Sequence, residues 1–111
     1  MPESIQYDNE MVEAHAQSGE RLGMGRFHGA AQKSAEGLWT WAGRFLPLDP
    51  NQAVLLAGGR VQLTFRDGAQ GEAVVLRVRK EMRRDVYELF APGWSADLRG
   101  DGEPPRAGPA K

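Results

Sequence analysis

Between Leu38 and Phe45 the chain reads Leu-Trp-Thr-Trp-Ala-Gly-Arg-Phe. Side chains alternate along a strand, so Trp39, Trp41, Gly43 and Phe45 share one face while Leu38, Thr40, Ala42 and Arg44 share the other. The preceding stretch puts Gly23, Gly25 and Gly29 on one face with Phe27. Large rings beside missing side chains set the shape of an interior, which is either a packed core or a lined pocket.

With 111 residues the chain fits one domain with a single hydrophobic core. Its 41% hydrophobic and 26% charged residues are ordinary for a globular protein. The 14 glycines and 7 prolines stand where strands must turn, which favours many short strands. There is no cysteine, which excludes a disulfide framework, a thiolate nucleophile and cysteine-ligated zinc. The start Met-Pro-Glu-Ser has no basic or apolar leader, and no apolar run is long enough for a membrane helix. A cytoplasmic protein without membrane contact is expected.

The net charge of -1 is unevenly spread. Residues 1–20 hold Glu3, Asp8, Glu10, Glu13 and Glu20 with no Lys or Arg. The remainder is basic, concentrated in Arg77, Arg79, Lys80, Arg83 and Arg84 around Glu81.

Residues 1–9 read as a flexible acidic segment, 10–98 as one β-domain, and 99–111 as a disordered polar tail. Met11, Val12 and His15 fit a helical stripe while Val12, Ala14 and Ala16 alternate as a strand, the favoured reading of Met11 to Gln17, and Ser18-Gly19 turns it into a second strand, Glu20 to Ala30. Gly37 turns the chain into the tryptophan strand, which Pro47 ends. Asp49-Pro50-Asn51-Gln52 is a helix-start signal, and Gly58-Gly59 closes a short helix. Val61 to Phe65 and Glu72 to Arg79 form a hairpin about Asp67-Gly68, with Gly71 as a bulge and Val74, Leu76 and Val78 facing inward. Arg83-Arg84-Asp85 turns into Val86 to Phe90, and Trp94 to Leu98 folds back as a plug. The expected architecture is all-β: a small antiparallel six-stranded barrel or sandwich with one short connecting helix.

Gly25-Arg26-Phe27, the segment Gly37 to Pro47, and Gly59 to Ala73 together resemble an uncharacterised actinobacterial small β-domain family, found alone or at the C-terminus of flavin-dependent monooxygenases. The family typically has Gly-His-Phe at the first of these sites, and its later tryptophan-glycine pair has no counterpart near Met82 to Val86. The resemblance implies a β-domain associated with oxidative or secondary metabolism; it supplies no catalytic residues.

Several constellations remain. Trp39, Trp41, Phe27 and Phe45, with His28 and Arg44 as polar groups at the mouth, are the candidate site for an apolar or aromatic small molecule. Strand parity sets a condition, because Arg26 and His28 look outward if Phe27 looks inward. A non-catalytic or accessory binding domain is the leading expectation, and a small barrel cyclase or isomerase is the alternative. No cofactor is implied, and catalytic residues are not identifiable. His15 and His28 lack the partners a metal site needs. None of Ser4, Ser18, Ser34 and Ser95 sits in a nucleophile elbow. The glycines from Gly23 to Gly29 miss the dinucleotide spacing. Arg79 and Arg83 have the spacing of the cyclic-dinucleotide motif of PilZ barrels, but the companion motif is missing. A second alternative is a protein-interaction module in which Arg79, Lys80, Arg83 and Arg84, on a basic turn from Arg77 to Arg84, dock an acidic partner masked in cis by residues 1–20. Edge-strand homodimerisation is a further expectation. Nucleic acid is disfavoured by the net charge and a pI near 6.1.

Overall fold

The computed structural model describes residues 4–49, 55, 57–84 and 90–105; the side chains of 81–92 and 101 lie outside that description. Six strands form: β1 (Ser4–Ala16), β2 (Arg21–Lys33), β3 (Trp39–Pro47), β4 (Arg60–Phe65), β5 (Gln70–Arg84) and β6 (Phe90–Asp101). They close into an antiparallel barrel in the order β1-β2-β3-β6-β5-β4. Strands β1 to β3 make one meander and β4 to β6 another, joined along two seams, β1 with β4 and β3 with β6. Closure decides between the two expected architectures, and it pairs the edges that an open sheet would expose.

The turns follow local chemistry. Gly19 and Gly37 take φ of 96° and 86°, as a tight reversal demands of a residue without Cβ. At the β4–β5 hairpin Gly68 has φ 91°, and the Asp67 carboxylate accepts a hydrogen bond from the Ala69 amide at 3.0 Å. No bulge forms at Gly71, which pairs regularly with Leu63.

Two bulges change which side chains face inward. In β1 the register slips between Tyr7 and Glu10, with Asn9 at φ 51°, so Tyr7 and Val12 both point into the barrel despite their odd spacing. In β5 it slips between Val75 and Arg77. Ala73 and Val75 are buried, so Leu76 faces outward and is 52% exposed, and the bulge keeps Arg77 outward and brings Val78 inward. The expected inward set of Val74, Leu76 and Val78 is corrected: only Val78, beyond the bulge, packs against the core.

Other expectations are corrected as well. Six of the nine residues expected as a flexible lead-in belong to β1, so this acidic segment is built into the barrel rather than free to mask a distant face. Trp94 to Leu98 is strand, with Trp94, Ala96 and Leu98 buried, not a plug. Arg83 and Arg84 are strand residues paired with Ala91 and Phe90, not a turn. The expected Val86 to Phe90 strand falls mostly on residues 85–89, outside the described residues, and β6 begins at Phe90. Among the described residues there is no helix; the expected one falls mainly on 50–54 and 56, outside the described residues. The tail is ordered at its start, since β6 runs to Asp101 and Pro104 and Pro105 are buried.

Aromatic rings fill the interior. Tyr7, Phe27 and Phe65 meet with centroids 5.4 to 6.0 Å apart, Trp41 stands edge-on to Phe27 at 5.9 Å, and Phe45 tilts against Trp94 at 5.9 Å. Such pairs add about 0.5–1.5 kcal/mol each beyond the area they bury. The rings fit because backbone without side chains lies opposite them. A Cβ on Gly43 would sit 2.6 Å from the Phe27 ring, one on Gly25 would strike Phe45, and one on Gly100 would land within the Trp41 indole. The glycines that make room for Trp41 are therefore Gly71 and Gly100 on β5 and β6, while Gly25 on β2 makes room for Phe45.

Strands β5 and β6 outrun the barrel. Their ladder continues from Arg79–Ser95 to Arg84–Phe90, past the last residues paired to β4 and β3, which accounts for the 46 Å length against 29 and 22 Å in the other directions.

Overfilling the Gly100 position should be costly. Gly100→Ala is expected to destabilise the fold by about 2–3 kcal/mol in urea unfolding, and in the Trp41→Phe background the same change costs measurably less, because the smaller ring gives way.

Candidate functional site: a basic outer face

The structure separates the six residues expected to share a ligand site. Phe27, Trp41 and Phe45 are at most 1% exposed and form the core. Trp39 is half-buried at the barrel end, with the Lys33 ammonium 5.9 Å above its ring. His28 and Arg44 lie on the outside, as the parity of β2 and β3 requires once Phe27 and Phe45 face inward. Phe27, Trp41 and Phe45 thus lie inside the barrel wall and His28 and Arg44 outside it.

The outward side chains instead gather with others. Register pairs His28 with Arg44, Arg44 with Asp97, and Asp97 with Arg77, one transverse row across β2, β3, β6 and β5. Three guanidinium groups converge on the Asp97 carboxylate: Arg79 at 3.0 Å, Arg44 at 3.6 Å and Arg77 at 3.7 Å. Asp97 is the most buried of the four, at 22% side-chain exposure, whereas Arg77 is 66% exposed. The carboxylate thus acts as a fixed anchor that holds arginine side chains along the sheet without neutralising them.

Neighbouring rows extend the positive face. Arg26 flanks His28 two residues earlier on β2 and donates to the Asn9 carbonyl at 3.2 Å. Arg99 lies two residues beyond Asp97, opposite Ala42, and is exposed. Five arginines therefore face outward around Asp97, and among the described side chains Asp8 also lies near the row, 3.6 Å from His28 and well exposed. Acidic partners elsewhere, such as Glu13 beside Arg21 and His15, and Glu72 beside Arg60 at 3.3 Å, lie across β1, β4 and β5.

Of the expected interaction residues, Arg79 belongs to this cluster, whereas Lys80, paired with Trp94, is exposed on the opposite face of the β5–β6 ladder. The side chains of Arg83 and Arg84 lie outside the described residues. The reading of Trp94 to Leu98 as a plug hides Asp97; the alternation of Trp94, Ala96 and Leu98 against Ser95 and Asp97 is the period-two signal that places the carboxylate outward. Arg99 was missed for the related reason that it was assigned to the tail.

Comparison with known protein families, with curated proteins and with solved structures finds no match to this chain. The face is read from its own chemistry.

Removing the anchor leaves three arginines facing one another. Asp97→Ala is expected to lower stability by about 1 kcal/mol at low ionic strength, with the deficit shrinking as salt screens both the lost attraction and the new repulsion. Thermal unfolding of both proteins across a salt series measures it.

Proposed function

We propose that this protein is a binding module whose basic outer face docks an acidic segment of a partner protein. The observation that carries the reading is the convergence of Arg44, Arg77 and Arg79 on the single carboxylate of Asp97, flanked by Arg26 and Arg99, in a chain whose net charge is -1. A mildly acidic protein that concentrates five arginines on one sheet face presents a local potential its overall charge conceals. Arginine suits the task, because its planar fork engages carboxylates through two parallel hydrogen bonds.

The chemistry of the face selects among partners. Leu48 and Leu76 are the exposed large apolar groups near it among the described residues, and no Phe, Tyr or Trp among them lies in its rows, so the stacking platforms that single-stranded nucleic acid uses are not formed by the described residues. Carboxylates spaced along an extended segment match guanidinium groups spaced by neighbouring strands, which stand about 4.8 Å apart. The rigid barrel beneath fixes that spacing before the partner arrives, and preorganisation lowers the cost of association. The interior supports this reading over an enclosed apolar ligand, since Phe27, Trp41 and Phe45 occupy the space themselves.

Titration with an oligo-glutamate peptide tests the proposal. Saturable binding should weaken with rising salt, and Arg44→Gln combined with Arg77→Gln should reduce affinity about ten-fold while leaving the fold intact. Binding that ignores both changes would remove the basic face from the function, and preference for a single-stranded oligonucleotide over the peptide would reassign the partner.

A further inference from the structure

At the end of the barrel where β1 begins and β6 finishes, the chain turns back on itself. Gly102, at φ 88°, reverses the direction of β6, and Pro104 and Pro105 are buried over the opening. The Tyr7 hydroxyl donates a hydrogen bond to the Pro105 carbonyl. Both glycines at this level are cleared for rings: a Cβ on Gly71 would lie 2.9 Å from Pro105 Cγ and 3.0 Å from Trp41 Cζ2. The prolines thus sit directly against the aromatic core.

Three features distinguish this closure from ordinary packing. The strap begins at an exposed glycine in the left-handed region, where an added Cβ would meet nothing, so its hold on the barrel comes from Pro104, Pro105 and the Tyr7 hydrogen bond rather than from the reversal itself. The Trp41 indole N–H, buried at the same end, has no acceptor among the described residues, an unfavourable state for a buried donor. The β3–β6 ladder also stops at Ala42–Arg99, although β3 stays paired to β2 as far as Trp39 and β6 to β5 as far as Asp101. Beside that seam the outer surface carries a shallow depression of about 380 Å³, bordered by Ala30, Gln32, Thr40, Trp41, Ala42 and Arg99.

We propose that Gly102–Pro105 is a displaceable plug over a binding site for a flat, largely apolar molecule bearing carbonyl acceptors. The ligand takes the volume of the two proline rings. One carbonyl replaces that of Pro105 on the Tyr7 hydroxyl, and a second offers the acceptor that Trp41 lacks. The plug competes with the ligand, so affinity in the intact chain is reduced by the fraction of molecules that are closed. This site is remote in chemistry from the basic face, and the two stand or fall separately.

The test uses 1,4-naphthoquinone, a flat dicarbonyl, titrated into the ¹⁵N-labelled full chain, a chain ending at Asp101, and full-length Pro105→Asp, whose buried charge expels the strap. Both opened variants, with dispersed spectra retained, should bind at least ten-fold more tightly than the intact chain, with the Trp41 indole N–H resonance shifting on saturation. Adding Tyr7→Phe to an opened variant should weaken binding about ten-fold, through the lost hydrogen bond. Equal binding by open and intact chains, no saturable binding, or an unmoved indole resonance would overturn the proposal. So would loss of folding in both opened variants, which would make the strap a structural part of the core.

Discussion

Rings laid on bare backbone hold this barrel together. Six strands enclose a narrow interior, and Phe27, Trp41 and Phe45 fit only because Gly25, Gly43, Gly71 and Gly100 leave room at facing positions. Each glycine costs conformational entropy in a strand, roughly 0.5–1 kcal/mol relative to alanine. Burial of a large aromatic side chain contributes about 1.5–3 kcal/mol, which outweighs that cost. Ring and glycine come from different strands: Gly25 with Phe45 and Gly43 with Phe27 meet within the β2–β3 hairpin, whereas Gly71 and Gly100 reach Trp41 only when the two meanders join.

The outer face inherits its order from that interior. Because Phe27 and Phe45 must point inward, His28 and Arg44 must point outward, and register then aligns them with Asp97 and Arg77. The β5 bulge completes the arrangement. By absorbing Leu76 it restores the alternation that buries Val78 and turns both Arg77 and Arg79 toward Asp97. A packing constraint inside the barrel thereby sets a charge pattern on its surface.

Much of the scaffold was legible from period-two alternation alone. The strands through Val12, Phe27, Trp41 and Leu63 and the Asp67-Gly68 hairpin follow directly from it, since one face of each is uniformly apolar or glycine. What escaped has a common cause. Bulges at Asn9 and Leu76 break the alternation, so Tyr7 read as part of a flexible segment and the inward face of β5 was assigned one residue out of step. The partners of Trp41 were also hidden. Gly71 and Gly100 lie far from it in sequence, and only closure brings them to the same level. The basic cluster was half visible: Arg77 and Arg79 declared their face, while Asp97 could not be joined to Arg44 without knowing that β6 lies between β3 and β5.

The central claim is that aromatic rings rest on glycine backbone across the barrel, and the glycine α-proton chemical shifts test it most directly. In the folded protein the α-protons of Gly25, Gly43 and Gly100 should be displaced upfield by ring currents, with nuclear Overhauser contacts from Gly43 to Phe27 and from Gly100 to the Trp41 indole. Glycine shifts near those of an unstructured chain, with the Trp41 ring protons free of contacts to β6, would contradict the account.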